Sequence, residues 1–337
     1  MNKITIRDIA KMANVSISAV SIVLNERPGV SPETRQKIKQ IVENTGFVQN
    51  PNSRKLLFDK TGNIAVLFPS DMSNLENMFY LQLNNALLPE CSSNNYNLLY
   101  CTYNLQSDKI LPNTILKKDA DGIIFLGDTP NEVIETVKKM NIPFVITDSY
   151  INGESTPTVY TDYEECAYKA TSFLIDNGHK NIEYLGSINE SYNDKVYSGY
   201  VRALKEHNLP YQSQNIILCD KNYKIAYYEG AKFLKNKHKN TTALLCCDDI
   251  LAFGIIKYLK EQNIDIPNQL SIMSIGNLMI SPYTDPSITT ININVSDLAK
   301  ESIKLLIKQI NNNSYSFEHI KTTVNEIVIR KSVKKIS

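Results

Sequence analysis

The chain has 337 residues, with 36 lysines and arginines against 35 aspartates and glutamates. None of its stretches is long and apolar enough to span a membrane, and its six cysteines show no paired spacing, which sets aside membrane spans and disulfide scaffolds. The charge is segregated: residues 1–60 hold ten basic against five acidic residues, the rest 26 against 30, as binding to phosphates at one end requires.

The first predicted elements are two short helices joined by a tight turn, from Thr5 to Asn25. Thr5 can cap the first, with Asp8 near the positive end of its dipole. Ile6, Ile9, Ala10 and Ala13 recur at helical spacing and make one inward stripe. Asn14 tolerates the left-handed backbone that a sharp interhelical turn needs. Ser16 caps the second helix, whose inward positions are Val20, Val23 and Leu24, leaving Ile17, Ser18, Ser21 and Ile22 on the other face. A third helix is expected from Ser31 to Thr45: Ser31-Pro32-Glu33 is a cap, a proline at the first position and an acid in the first turn. Ile38, Ile41 and Val42 are its buried stripe, and Gly46 stops it. Any small helical bundle shows such caps and stripes, so the charge carries the functional reading. Next come Asn50-Pro51-Asn52-Ser53-Arg54-Lys55-Leu56, where Asn50 can cap a short hinge helix and Pro51 suits its first turn. Leu56 has no core beside it.

Asp59 to Asn63 is a polar linker. Beyond it, strand-like apolar runs span Ile64 to Phe68, Leu98 to Tyr100, Gly122 to Leu126, Phe144 to Ile146, Ile182 to Leu185, Ala243 to Cys246 and Ser271 to Ile275. Helical patterns alternate with most of them, such as Glu164 to Asn177 and Ile250 to Gln262. This alternation means an α/β fold with parallel sheets covered on both faces. The roughly 275 residues involved exceed one comfortable sheet domain, so two subdomains are expected, with ligands bound at the carboxyl ends of strands.

Thr5-Ile6-Arg7-Asp8-Ile9-Ala10-Lys11-Met12-Ala13-Asn14-Val15-Ser16, with Val20-Ser21 and Val23-Leu24-Asn25, resembles the head of the lactose/galactose repressor (LacI/GalR) family of bacterial transcription regulators. Similar landmarks follow in order, among them Val30-Ser31-Pro32-Glu33-Thr34-Arg35, Asp121-Gly122-Ile123-Ile124, Ser198-Gly199-Tyr200, Asp249-Ile250-Leu251-Ala252-Phe253-Gly254 and Pro286-Ser287-Ile288-Thr289-Thr290-Ile291. The resemblance implies a three-helix helix-turn-helix head over residues 1–48, a hinge helix and linker over 49–60, and a periplasmic-binding-protein-like, effector-binding and dimerising core over 61–337. In that core the chain crosses three times between a subdomain near 62–160 plus 290–322 and another near 161–289 plus 323–337. It also implies a cytoplasmic homodimer that represses transcription from a near-palindromic duplex operator, with no cofactor.

The implied DNA contacts in the head are Thr5, Ser16, Ile17, Ser18, Ala19, Ser21, Ile22, Asn25 and Arg27. In the hinge they are Asn50, Ser53 and Leu56, the leucine wedging between base pairs and bending the duplex. The plainer reading packs Leu56 and Leu57 on the edge of the core. Gln49 replaces a proline usual in the family, which loosens the approach to the hinge. Ile22 stands where the family usually has arginine and Ala19 where it often has threonine, while Ile17 and Ser18 occupy the positions that typically set specificity. Ile22 cannot donate to guanine but can lie against a thymine methyl.

The implied effector cleft departs as well. Tyr192, Val196 and Leu278 fall where sugar- and purine-responsive members carry a hydroxyl, an arginine and an aspartate. Phe79, Tyr80 and Asp148 remain, and Asp248 stands where asparagine is common. The expected ligand is flatter or greasier than a hexose, cationic or neutral; the alternative is a cleft that answers to a partner protein or to nothing. Catalysis finds no support. The histidines are scattered without metal-ligand spacing, there is no glycine-rich phosphate loop, and Asp249 reads as a helix cap rather than half of an acid–base pair. The runner-up is an exported solute-binding protein of the same core fold, which would carry a signal peptide and no basic head. Met1-Asn2-Lys3-Ile4-Thr5 lacks an apolar signal segment, and the cysteines suit a reducing compartment.

Overall fold

The structure is a computed structural model that describes residues 4–24, 26–47, 60–70, 77–149, 156–188, 191–210, 216–236, 240–312, 317–322 and 326–336. It divides into two compact units between Thr61 and Gly62, each described by itself.

The first unit holds helices α1 (Ile6–Ala13), α2 (Ile17–Leu24) and α3 (Pro32–Thr45). Ile9, Ala10, Ala13, Val20, Val23 and Ile38 form its buried core, with Leu24, Ile41 and Val42 half-buried around them. Local hydrogen bonds set the boundaries. The Asp8 carboxylate accepts from the backbone N–H of Thr5 at 2.9 Å and from its hydroxyl at 2.6 Å, tying the first turn to the residue before it. Asn14 ends α1 in the left-handed region, at φ 55°. Ser16 Oγ accepts from Ala19 N–H at 3.1 Å to start α2, and Ser31 Oγ accepts from Thr34 N–H at 3.3 Å to start α3. Gly46 ends α3 at φ 60°.

Among the described residues, the second unit contains two six-stranded sheets. Strands β1 (Asn63–Pro69), β2 (Asn97–Tyr103), β3 (Gly122–Leu126), β4 (Phe144–Thr147), β5 (Thr158–Tyr160) and β11 (His319–Lys321) build the first, in the order β11-β5-β4-β3-β1-β2, all parallel. Strands β6 (Ile182–Ser187), β7 (Ile216–Cys219), β8 (Ala243–Cys246), β9 (Ser271–Gly276), β10 (Thr289–Asn292) and β12 (Ile327–Val328) build the second, in the order β12-β10-β9-β8-β6-β7. Only β12 runs antiparallel to its neighbour there, with Ile327 opposite Ile291. Both sheets are doubly wound, so the strand order reverses between β1 and β3 in one and between β6 and β8 in the other, and a crevice opens at the carboxyl ends of those strands.

Helices cover both sheets, as the unbroken apolar strands demand. The helix Val295–Asn312 packs on the first sheet, where a side chain at Gly122 would meet Leu306. On the second sheet the helices come in two close pairs. Tyr163–Asp176 pairs with Asn193–Glu206, and Tyr223–Asn236 with Asp249–Glu261. Each pair touches through a glycine: a Cβ on Gly199 would strike the carbonyl of Glu164, and one on Gly254 the carbonyl of Tyr223. Those contacts account for two of the landmark motifs.

Two expectations change. Thr289–Asn292 pairs with Met273–Gly276 in the second sheet, so the second crossing lies past Asn292 rather than at 290. Asp249 is not the cap of its helix. The side chain of Asp248 accepts from Ile250 N–H at 2.6 Å, whereas Asp249 is fully buried and turned inward. Its carboxylate accepts from the hydroxyls of Ser274, Ser281 (2.6 Å) and Thr290 (2.9 Å) and from Leu278 N–H (2.7 Å). A buried carboxyl group is tolerable only with such a shell of hydrogen-bond partners.

Candidate functional site

In the head unit, the start of α2 presents a short polar and apolar edge. Ser16, Ile17 and Ser18 are exposed, Ile17 by 45%, and the two serine hydroxyls share a 2.8 Å hydrogen bond. Arg7 and Lys11 from α1 line the same shallow concavity as Ser16 and Ile17. Free N–H groups and a positive dipole end at a helix start suit phosphate, and the two cations add to that field. Ala19, Ser21 and Ile22 are half-buried on the next turn. Ile22 leans toward Gly29, its Cδ1 4.0 Å from where a Cβ there would sit. Ile17 is therefore the more outward of the two isoleucines. Arg27 is exposed, and its carbonyl accepts from the Arg35 guanidinium, which ties the turn after α2 to α3. Thr5 caps α1 as described, and its hydroxyl holds Asp8 below the usual carboxylate range. Asn25, Asn50, Ser53 and Leu56 lie outside the described residues.

In the core unit, the crevice between the sheets holds a cavity of about 20 Å³. That is room for a water molecule, not for a sugar. Six of the seven expected cleft residues line it: Phe79, Tyr80, Asp148, Tyr192, Asp248 and Leu278. Each sits where the topology puts it. Phe79 and Tyr80 open the helix Met78–Ser93, their rings edge-to-face at 5.5 Å. Asp148 follows β4 with φ 61°, and its carboxylate accepts from Tyr163 Oη at 3.1 Å. Asp248 follows β8 and caps the helix behind it. Leu278 follows β9, its N–H held by Asp249. Tyr192 precedes the helix Asn193–Glu206, whose first residue is fixed by Tyr184 Oη donating to Asn193 Oδ1 at 2.6 Å and by Ser187 N–H donating to the same atom at 3.0 Å. Burial pushes the Tyr184 phenol well above its ordinary range, which keeps it a donor.

Val196 is not part of this cavity. One turn into its helix, it is fully buried in the hydrophobic core, and its short branched side chain ends there. An arginine at that position would have length to spare; valine does not.

Seven lining residues were not expected from the sequence, and two of them, Tyr163 and Lys221, bear on the chemistry of the cleft. Tyr163 stacks on Tyr192 with ring centroids 4.7 Å apart and planes inclined by 25°. Lys221, in the turn after β7, places Nζ 5.3 Å from the centroid of the Tyr192 ring. The helix Met78–Ser93 also meets the turn after β9 at the rim, where Met279 N–H donates to Gln82 Oε1 at 2.7 Å. Among the described residues, no group of three or more His, Cys, Asp or Glu could hold a metal ion, and no helix is long and apolar enough to cross a membrane. The cavity is an aromatic box with two acids and a lysine, arranged to bind rather than to transform.

Residues 5–50 match the family described as bacterial regulatory proteins, lacI family, and residues 171–333 match the periplasmic binding protein-like domain. The chain is 33% identical over 313 residues to catabolite control protein A of Priestia megaterium, covering 91% of this chain and 93% of that one. It is 29% identical over 337 residues to the HTH-type transcriptional repressor PurR of Histophilus somni (strain 2336), covering 98% and 99%. Among solved structures, that of the lac repressor dimer bound to operator and the anti-inducer ONPF shares the fold with a TM-score of 0.80 at 18% identity, over 99% of this chain and 100% of that one.

Proposed function

Because the chain belongs to the lacI family of bacterial regulatory proteins, we propose that it works as a homodimeric repressor whose two heads read a near-palindromic operator. The protein is a DNA-binding transcriptional regulator and not an enzyme. Regulators of this family bind operator DNA as dimers. The observation that carries the finer reading is the exposed Ser16-Ile17-Ser18 edge at the start of α2, flanked by Arg7 and Lys11. Such an edge offers backbone phosphates their donors and thymine methyls an apolar surface. A solute-binding protein of the same core would have no use for it.

Selection of bound duplexes from a random pool tests this. A two-fold symmetric site should emerge, with an affinity that falls steeply with salt as Lys and Arg displace counterions. Ile22→Arg should move one position of each half-site toward guanine, worth about 1–3 kcal/mol of discrimination. A selected pool without two-fold symmetry would sink the proposal. A half-site unchanged by Ile22→Arg would remove Ile22 from the groove.

The cleft is proposed as the effector site, with Phe79, Tyr80, Asp148, Tyr192, Asp248 and Leu278 around the ligand. Its rings and acids favour an aromatic or apolar body with a positive group over a hexose, whose hydroxyls would lack partners at about 1–3 kcal/mol each. With only about 20 Å³ free, entry requires the two sheets to part or a side chain to leave.

A further inference from the structure

We infer that Lys221 is a tethered occupant of the cleft: its ammonium fills the place of a small organic cation, and the ligand class is an alkylammonium ion that displaces it. The inference rests on the reading of this cleft as an effector site. Tyr163 stacks on one face of Tyr192 at 4.7 Å and holds that ring in place, and Lys221 Nζ stands 5.3 Å from the Tyr192 centroid. That distance is within cation–π range. Asp148 and Asp248 line the same cavity as Lys221, so it holds two carboxylates and one lysine, and the local charge welcomes a cation. With the lysine in place about 20 Å³ remains, so a cation and Lys221 cannot occupy the platform together. A quaternary ammonium ion gives up its water more easily than a lysine ammonium does, so it has the advantage on an aromatic face. The lysine stem is flexible and rooted in a turn outside the helices and strands, so it can swing out without moving a sheet.

The full-length protein is tested by thermal unfolding with tetramethylammonium chloride and choline chloride as probes, against sodium chloride at equal ionic strength. Lys221→Met should be stabilised with a midpoint roughly tenfold lower in probe concentration than the wild type, because the internal competitor is gone. Lys221→Arg should track the wild type, and adding Tyr192→Leu to Lys221→Met should abolish the response. Equal midpoints for wild type and Lys221→Met, or no response from either, overturn the inference. Stabilisation of wild type but not Lys221→Met by sodium acetate would make Lys221 an anion clamp and overturn it too. Should Lys221→Met fail to fold, amine acetylation of the wild type, mapped by mass spectrometry, decides. Tetramethylammonium should speed modification of Lys221 by exposing it, and an unchanged or slower rate overturns the inference. Operator binding by the same samples separates the two readings. Intact operator binding without a probe response defeats the tethered lysine alone, whereas wild type that selects no operator defeats the regulator reading.

Discussion

His179 shows how one residue couples distant parts of the chain. It is almost fully buried, and its two ring nitrogens face Thr242 Oγ1 at 3.0 Å and the carbonyl of Lys334 at 3.1 Å. A carbonyl only accepts, so Nε2 carries the hydrogen and Nδ1 accepts from the threonine. The neutral ring is thereby satisfied. Burial pushes its pKa below the ordinary histidine value. The sign follows from linkage: the unfolded chain binds the proton more readily, so the stability this residue confers is complete above the unfolded pKa and drains away as pH falls toward the folded one. Core unfolding measured from pH 8 downward should weaken below about pH 6.5, and His179→Gln should flatten that fall. A slope unchanged in the variant would remove His179 from the account. In the sequence His179 is only one of the scattered histidines. Its two partners lie 63 and 155 residues away, and no local pattern points to them.

At the scale of elements, the head was legible because its signals are local. Caps, left-handed turns and stripes act over three or four residues, and Asn14, Ser16, Ser31 and Gly46 each stand where those rules put them. Ser16→Ala should therefore cost about 1 kcal/mol in the stability of the head, through the lost cap on Ala19 N–H, and should weaken operator binding, since the same helix start faces the DNA in our proposal. Unfolding of the full chain followed at a probe in residues 4–47 checks this, and an unchanged head transition would show the cap to be idle. The core was less legible. Asp248 and Asp249 are adjacent carboxylates at a strand end, and which one caps the helix depends on Ser274, Ser281 and Thr290 waiting below the other. Strands of two to four residues, such as His319–Lys321 and Ile327–Val328, are too short to show alternation and are fixed by their neighbours. Val196 was assigned by position within a motif, but reach belongs to the side chain. Lys221 and Tyr163 were missed because strand order alone brings the turn after β7 and the start of a helix to one crevice.

For the whole molecule, the proposed function requires the state of the cleft to be felt at a DNA surface, through the hinge that the resemblance implies after the head. The hinge lies outside the described residues, and the resemblance places Leu56 in the minor groove as a wedge. Leu56→Ala should weaken specific binding and reduce the bend while leaving non-specific binding nearly intact. Circular-permutation gel mobility reads the bend, and an undiminished bend would return Leu56 to the edge of the core. The order of strands carries one more consequence, for synthesis. The first sheet lacks its outer strand until His319–Lys321 is made, and the helix Val295–Asn312 that covers it is nearly as late. The second sheet lacks its edge until Ile327–Val328, and Ser332 and Lys334 then bond back to Ile272 and Ser271. The head's core, by contrast, closes within residues 4–47. On the ribosome, a head able to fold is followed by two unfinished sheets until the final tenth of the chain emerges, so a premature stop codon even near residue 300 would release a head joined to two sheets without their last strands, the first also without most of its covering helix and so with apolar surface ready to aggregate.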